Sequence, residues 1–124
     1  MISGRFNTVN KEYDTRFRYM GPNGLGTEVF INTQTKEVWF TNYAKDYMET
    51  VFGKKQSATW QDFKDFCESR CWERSRRDLR ELLARLNIYE YNPMKVLFKT
   101  NGRTYEDPYY LEILRWEGNY EWDR

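Results

Sequence analysis

Closely spaced arginines in the middle of the chain are the residues whose type and spacing best suit a binding chemistry. They are Arg70, Arg74, Arg76, Arg77, Arg80 and Arg85. Guanidinium groups hold phosphate oxygens through paired hydrogen bonds, and Trp72 with the neighbouring tyrosines offers rings on which unpaired bases stack. The competing interpretation is that Glu73, Asp78 and Glu81 pair with these arginines and leave an ordinary solvated helix face. The sequence therefore indicates a basic face without deciding whether that face is free to bind.

The last fifth of the chain has the opposite character, because it is both acidic and aromatic. Residues 104–124 carry six acidic and two basic side chains, whereas residues 62–103 carry seven acidic and ten basic ones. Carboxylates beside exposed rings can imitate the charge and stacking of a nucleic-acid strand and so occupy a basic groove on a nucleic-acid enzyme. The candidate residues are Glu106, Asp107, Glu112, Trp116, Glu117, Tyr120, Glu121, Trp122 and Asp123. The alternative is a solvated strand edge followed by a frayed tail.

Residues suited to catalysis are scarce. Histidine is absent, which removes Ser-His-Asp and Cys-His catalysis, His-ligated metals and the usual general base near pH 7. Cys67 and Cys71 stand four residues apart rather than in a C-x-x-C spacing. In a chain with so few cysteines we predict that both are free thiols and largely buried, not metal ligands.

Carboxylates and glycines do not change this conclusion. Glu28, Glu37 and Asp46 leave a metal-dependent nuclease chemically possible, but nothing in their spacing requires one. The glycine-rich segment 21–26 lacks both the G-x-x-x-x-G-K-[ST] pattern and a following capped helix, so it predicts a turn and not a phosphate loop. We therefore predict that the protein is not an enzyme and has no catalytic residue, no metal site and no cofactor.

The composition is that of one ordinary folded domain. The chain has 124 residues, of which 40% are hydrophobic and 19% aromatic, enough to build a core. The formal net charge of +1 argues against an entirely basic or acidic surface. The chain has neither a run of roughly 20 apolar residues nor a signal-peptide stretch at its start. We expect a cytoplasmic protein.

Hydrophobic alternation predicts an antiparallel sheet early in the chain and one more strand near its end. The predicted strands cover residues 16–20, 28–32, 36–42 and 109–116. A glycine-flanked turn at 21–24 and a short loop at 33–35 join the first three. Residues 1–15 lack periodicity and predict an irregular lead-in, and a helical stretch is predicted at 43–52.

Three helices are predicted between residues 59 and 101. Thr59 and Asp62 form a capping-box pattern ahead of the first helix. The second, spanning 75–87, has a leucine stripe at helical spacing, and Asn92-Pro93 starts the third. The predicted fold class is α+β: an N-terminal antiparallel β-sheet, a three-helix segment and a C-terminal β-strand. It forms a single domain, 1–124, divided into the lead-in 1–15, a β-hairpin region 16–42, a helical region 59–101, and a strand with an acidic aromatic tail, 104–124.

Several short motifs in the second half resemble a group of small accessory proteins carried on phages, plasmids and conjugative elements of Gram-positive bacteria. The pattern runs R-C-x-x-R-x-R from Arg70, then L-L-x-x-L, Y-N-P, K-T-x-G-R and an aspartate, over about residues 63–113. The resemblance implies a mobile genetic element as the setting, one that includes anti-CRISPR inhibitors of CRISPR effector nucleases. Against this, Arg70, Arg74 or Arg103 would simply pair with Asp107 and pin the helices to the last strand.

Two hypotheses of function remain open. In the first, the protein inhibits a host nucleic-acid enzyme, with a Cas9-type nuclease as the expected target. The acidic aromatic end would cover the arginines that read the protospacer-adjacent motif, or the basic face would grip the guide RNA or heteroduplex backbone. The candidate residues of the basic face are Arg70, Arg74, Arg76, Arg77, Arg80 and Arg103. In the second, the protein is a DNA-binding accessory or regulatory protein with helix 75–87 as its recognition helix.

Overall fold

Within residues 12–118 and 121–122, which the computed structural model describes, four antiparallel strands and three α-helices form the predicted α+β fold. The strands are β1 (Thr15–Gly21), β2 (Gly24–Asn32), β3 (Glu37–Asn42) and β4 (Tyr110–Trp116). The helices are α1 (Trp60–Ser69), α2 (Leu79–Arg85) and α3 (Pro93–Lys99). Most of the predicted lead-in, 1–15, lies outside the described residues, and Thr15 already belongs to β1.

The sheet has the strand order β3-β2-β1-β4, so β1 and β2 are its central strands. A tight turn through Pro22 and Asn23 joins β1 to β2, between the paired Gly21 and Gly24. Gly24 has a φ of 98°, a conformation that favours glycine because a side chain would be strained there. β4 pairs antiparallel with β1. The prediction that the last strand joins the early sheet is therefore confirmed.

The main core lies between one face of the sheet and the helices α1 and α3. Phe17 of β1 is fully buried at its centre. Its ring lies 6.3 Å from that of Phe63, 6.2 Å from that of Phe66 and 5.9 Å from that of Phe98, measured between centroids. Because successive strand residues point to opposite faces, the aromatic and branched residues that alternate along β1, β2 and β3 supply this face. The predicted alternation thus identifies the core correctly.

A smaller hydrophobic cluster lies beside the main core and holds α2. Its buried members are Leu83, Ile88 and Val96, of which Val96 belongs to α3. Two half-buried leucines of α2 and its C-cap pack against them, together with two residues of the preceding segment: Leu79, Leu86, Cys71 and Trp72. The leucine stripe is therefore confirmed as the inward face of α2, and the opposite face is left to solvent.

The predicted helix 75–87 is shorter than its pattern indicated, because α2 begins only at Leu79. Asp78 precedes the helix but makes no side-chain capping bond. Its carboxylate instead accepts a hydrogen bond from Nε of Arg76 at 2.5 Å. The chain before α2 forms successive turns, in which the backbone N–H of Arg76 donates to the carbonyl of Glu73 at 3.0 Å and that of Leu79 to the carbonyl of Arg76 at 3.2 Å.

The predicted helix at 43–52 is wrong, since only a single 3-10 turn, Tyr47–Glu49, forms there. The backbone N–H groups of Tyr43 and Ala44 both donate to the carbonyl of Gly26, at 2.8 and 3.2 Å, which ties this stretch to the sheet. Thr50 then takes an extended conformation with ψ of 160° and ends the turn. Hydrogen bonding to β2 therefore prevails over local helix propensity.

The starts of α1 and α3 agree with the predictions. The Thr59 hydroxyl accepts the backbone N–H of Asp62 at 3.1 Å, and the Asp62 carboxylate accepts that of Thr59 at 2.9 Å, so the capping box is complete. Asn92 caps α3 by accepting the N–H of Lys95 at 3.1 Å, with proline at the first helical position. The helix ends before Asn101, whose φ is 54°.

We expect Thr59→Ala to lower the free energy of unfolding by about 1 kcal/mol, because the first turn of α1 would lose a bonded N–H partner. Urea denaturation at neutral pH, followed by circular dichroism, measures the change. Thr59→Ser is the matched control, since it keeps the hydroxyl and should stay close to the unsubstituted protein. Equal losses in the two variants would contradict a capping role.

Candidate functional site: an exposed arginine surface

Five arginines lie exposed on the turns before α2 and on α2 itself, and we call them the arginine surface. They are Arg74, Arg76, Arg77, Arg80 and Arg85. The small cluster beneath α2 fixes the orientation of the helix that carries Arg80 and Arg85, because burying Leu83 turns the other side of that helix outward. The exposed face of α2 carries two rows of side chains, each with a spacing of four residues. One row is Arg80 and Ala84, and the other is Glu81 and Arg85.

The acids interleaved with these arginines neutralise only part of the arginine surface. Arg76 forms an ion pair with Asp78, with 2.5 Å between Nε and the carboxylate oxygen, and both side chains are about half exposed. An exposed pair of this kind contributes little to stability. Among the residues that the structure describes, no ion pair involves Arg77 or Arg80. These two guanidinium groups are therefore available to a partner.

Arg74 is held in place by an aromatic ring. Its guanidinium carbon lies 4.4 Å above the ring centre of Tyr91, a cation–π distance. The Tyr91 hydroxyl donates to the carbonyl of Trp72 at 3.3 Å, which fixes the ring from the other end. Burial raises the pKa of Tyr91 to about 12. Arg74 thus presents its charge from a rigid support.

Tyr89 is a residue that the sequence analysis did not single out. Its ring is 81% exposed, while its neighbour Ile88 is buried and donates its N–H to the carbonyl of Leu83 at 2.9 Å. Asn87 has a φ of 60° and turns the chain at the end of α2. The sequence feature that could have indicated this exposure is the short link between Asn87 and the Asn92 cap. So few residues leave little freedom to bury the Tyr89 ring.

Arg70 does not belong to the arginine surface, because it is 7% exposed. Its guanidinium donates to the Asp107 carboxylate at 2.8 and 3.1 Å, to the carbonyl of Gly102 at 2.6 Å and to that of Tyr109 at 3.2 Å. The hydrogen bond from Arg70 lowers the pKa of Asp107. Two residues predicted to bind a partner, Arg70 and Asp107, therefore bind each other. This is the alternative stated above, in which an arginine pairs with Asp107 and holds the helices to the last strand.

Arg103 lies apart from α2. It follows α3 and is exposed, and its guanidinium carbon is 4.5 Å from the ring centre of Tyr110 on β4. Its predicted place in the basic face stays a prediction, and its guanidinium lies against β4 and not on α2.

The acidic aromatic end is largely engaged within the fold. Glu112 pairs with Arg18 at 3.1 Å, and Glu117 pairs with Arg115. The Trp116 ring stacks on that of Phe98 with 4.7 Å between centroids. Trp122 is half-buried against the main core, and Nζ of Lys64 lies 5.1 Å from its ring centre. Glu106 and Glu121 are exposed. Tyr120 and Asp123 lie outside the described residues. In the described part of this end, three of the predicted acids are therefore paired with arginines of the same chain.

Side chains with possible catalytic chemistry are separated or buried. Cys67 and Cys71 are free thiols, and burial raises the pKa of Cys67 well above its usual value and that of Cys71 to about 11. Glu28 is buried, and one of its carboxylate oxygens lies 2.7 Å from Arg16 and 3.3 Å from Arg18. Across the described ranges, no three Cys, Asp or Glu side chains converge to hold a metal ion.

Comparison with models of protein families, with curated proteins and with solved structures finds no match for this chain. Within the part of the chain that the structure describes, no helix has the length and apolar character needed to cross a membrane.

Proposed function

We propose that this protein is a non-catalytic binding protein that inhibits a host nucleic-acid enzyme, with the arginine surface as its contact region. The observation that carries the proposal is the exposure of Arg77 and Arg80 beside the ring-supported Arg74. Guanidinium groups fixed on a rigid element suit the phosphate backbone of a bound guide or target strand.

The proposed target is a CRISPR effector nuclease of the Cas9 type. The resemblance of residues 63–113 to accessory proteins of mobile genetic elements supports this setting, and the proposed location is the cytoplasm of the bacterial host. The absence of histidine supports inhibition by covering a surface instead of by chemistry. In an effector complex, the guide RNA and the heteroduplex lie in a positively charged channel. A cationic inhibitor would therefore contact the nucleic acid more readily than the channel wall.

The alternative of a DNA-binding regulator is less well supported. Seven residues at 1.5 Å per residue give α2 a length of about 10 Å. A recognition helix normally projects several contacts into the major groove, and it usually acts from a dimer.

Reversing the charge at the arginine surface tests the proposed function. We expect the unsubstituted protein to form a stable complex with a Cas9-type nuclease and to lower cleavage of target DNA. The double variant R77E/R80E should need at least about ten times more protein for the same inhibition, because two phosphate contacts become repulsive. The measurement is a titration of cleavage at fixed nuclease and guide RNA.

The double variant K45E/K54E is the matched control. Lys45 and Lys54 are exposed, lie outside the arginine surface, and change the net charge by the same amount. It should inhibit like the unsubstituted protein. Unchanged cleavage at large molar excess, across several effector nucleases, would refute the proposed function. Equal losses in the two double variants would indicate a nonspecific effect of charge.

A further inference from the structure

The ring of Tyr89 is presented to solvent by its two anchored neighbours. Ile88 is inserted into the small cluster on one side, and Tyr91 is half-buried beneath Arg74 on the other. Only two residues, Tyr89 and Glu90, link these anchors, and both are exposed. The exposure of this ring is therefore imposed by the backbone and requires no rearrangement on binding.

Tyr89 lies close in the chain to residues of the arginine surface. Tyr89 is two residues from Tyr91, whose ring supports Arg74, and four residues after Arg85, the last residue of α2. Exposed aromatic rings beside guanidinium groups form the arrangement by which proteins hold unpaired nucleotides, since a ring stacks on a base while the cations contact the flanking phosphates.

From this juxtaposition we propose that the arginine surface and Tyr89 together bind single-stranded nucleic acid, with one base stacked on Tyr89 and the phosphates held by Arg74, Arg77 and Arg80. This inference rests on the proposed function and names the ligand of the same site. It excludes duplex as the preferred ligand, because stacked base pairs do not offer a face to an external ring. It also predicts little dependence on sequence, because every base has such a face.

Fluorescence anisotropy of labelled oligonucleotides tests this inference without any nuclease. The probes are oligouridylate and oligothymidylate of ~12 nucleotides and a duplex of the same length. Each is titrated with the full chain at salt concentrations between about 50 and about 200 mM. We expect both single strands to bind more tightly than the duplex. For three phosphate contacts, the slope of log K against log salt should be about −2, at −0.7 per contact.

Two sets of variants separate stacking from charge. Tyr89→Ala should weaken single-strand binding about ten-fold without changing the salt slope, whereas Tyr89→Phe should bind normally because it keeps the ring. R77Q/R80Q should make the slope shallower by about 1.4, for two lost contacts. Tyr105→Ala, at a fully exposed tyrosine between α3 and β4, and K45Q/K54Q are the matched controls, which should behave like the unsubstituted protein.

The outcomes distinguish this inference from the proposed function. Tighter binding of RNA would support a guide strand as the ligand, and tighter binding of DNA would support a displaced strand. Duplex binding equal to or tighter than single-strand binding would overturn the inference, as would normal binding by Tyr89→Ala. Absence of binding to every probe would also overturn it. If R77E/R80E still lost inhibition in that case, the proposed function would stand with acidic protein groups as the contact.

Discussion

Arg70→Met is expected to lower the free energy of unfolding by about 3–5 kcal/mol, a large fraction of the stability of a small domain. The guanidinium of Arg70 joins the end of α1 to the carbonyls of Gly102 and Tyr109 and to the Asp107 carboxylate. Methionine fills much of the volume but removes every hydrogen bond that the buried guanidinium donates, so that Asp107 keeps only the backbone N–H of Tyr109 among these contacts. Urea unfolding at neutral pH, followed by tryptophan fluorescence, measures the loss.

Arg80→Met is the matched control for that substitution. It makes the same chemical change at an exposed arginine and should alter the free energy of unfolding by at most about 0.5 kcal/mol. If the two variants proved equally stable, the buried bridge would not contribute as its geometry indicates.

The bridge should also make stability depend on acid. The hydrogen bond from Arg70 lowers the pKa of Asp107 below its usual value, so the folded state favours the charged carboxylate. This contribution is fully present above the usual aspartate pKa of about 4 and is lost as pH falls through the lower folded value. The stability gap between the unsubstituted protein and Asp107→Asn should therefore shrink from pH 7 to about pH 2. A gap independent of pH would contradict the charged pairing.

The second large effect is expected at Phe17, where Phe17→Ala should lower the free energy of unfolding by about 3–5 kcal/mol. Its ring is fully buried and contacts three other aromatic rings, from α1 and α3, so its removal leaves a cavity that rigid neighbours cannot fill. Chemical denaturation monitored by circular dichroism gives the change. Thermal unfolding of the same variant should show a clearly lower midpoint.

Two controls bracket the Phe17 result. Phe17→Leu keeps most of the volume and should cost less than Phe17→Ala. Leu114→Ala removes an exposed apolar side chain from β4 and should change stability by at most about 0.5 kcal/mol. A loss at Phe17→Ala no larger than that at Leu114→Ala would refute the position of Phe17 at the centre of the core.

Features governed by neighbouring residues could be predicted from the sequence. Three such features depend only on residues a few positions apart. They are the alternation along β1, β2 and β3, the capping box at Thr59, and the Asn92-Pro93 start of α3. The start of α2 could not be predicted in this way, because the Asp78 side chain bonds to Arg76 and not to the helix.

For contacts between residues distant in the chain, the sequence limits the candidate partners without selecting one. The bridge between Arg70 and Asp107 joins positions 37 apart in sequence, and the motif allowed Arg70, Arg74 or Arg103 as the partner. Only packing selects among them, since it buries Arg70 and leaves the other two over the rings of Tyr91 and Tyr110. The arginines of the candidate site can be identified from the sequence. The exposure of the Tyr89 ring cannot, because it depends on the direction that the chain takes after α2.

The separation of the α2 cluster from the main core has a consequence for how this protein can change over generations. Substitutions on the outward side of α2 leave the contacts between the sheet, α1 and α3 untouched. Such substitutions can therefore alter the charge and shape of the arginine surface while the main core stays intact.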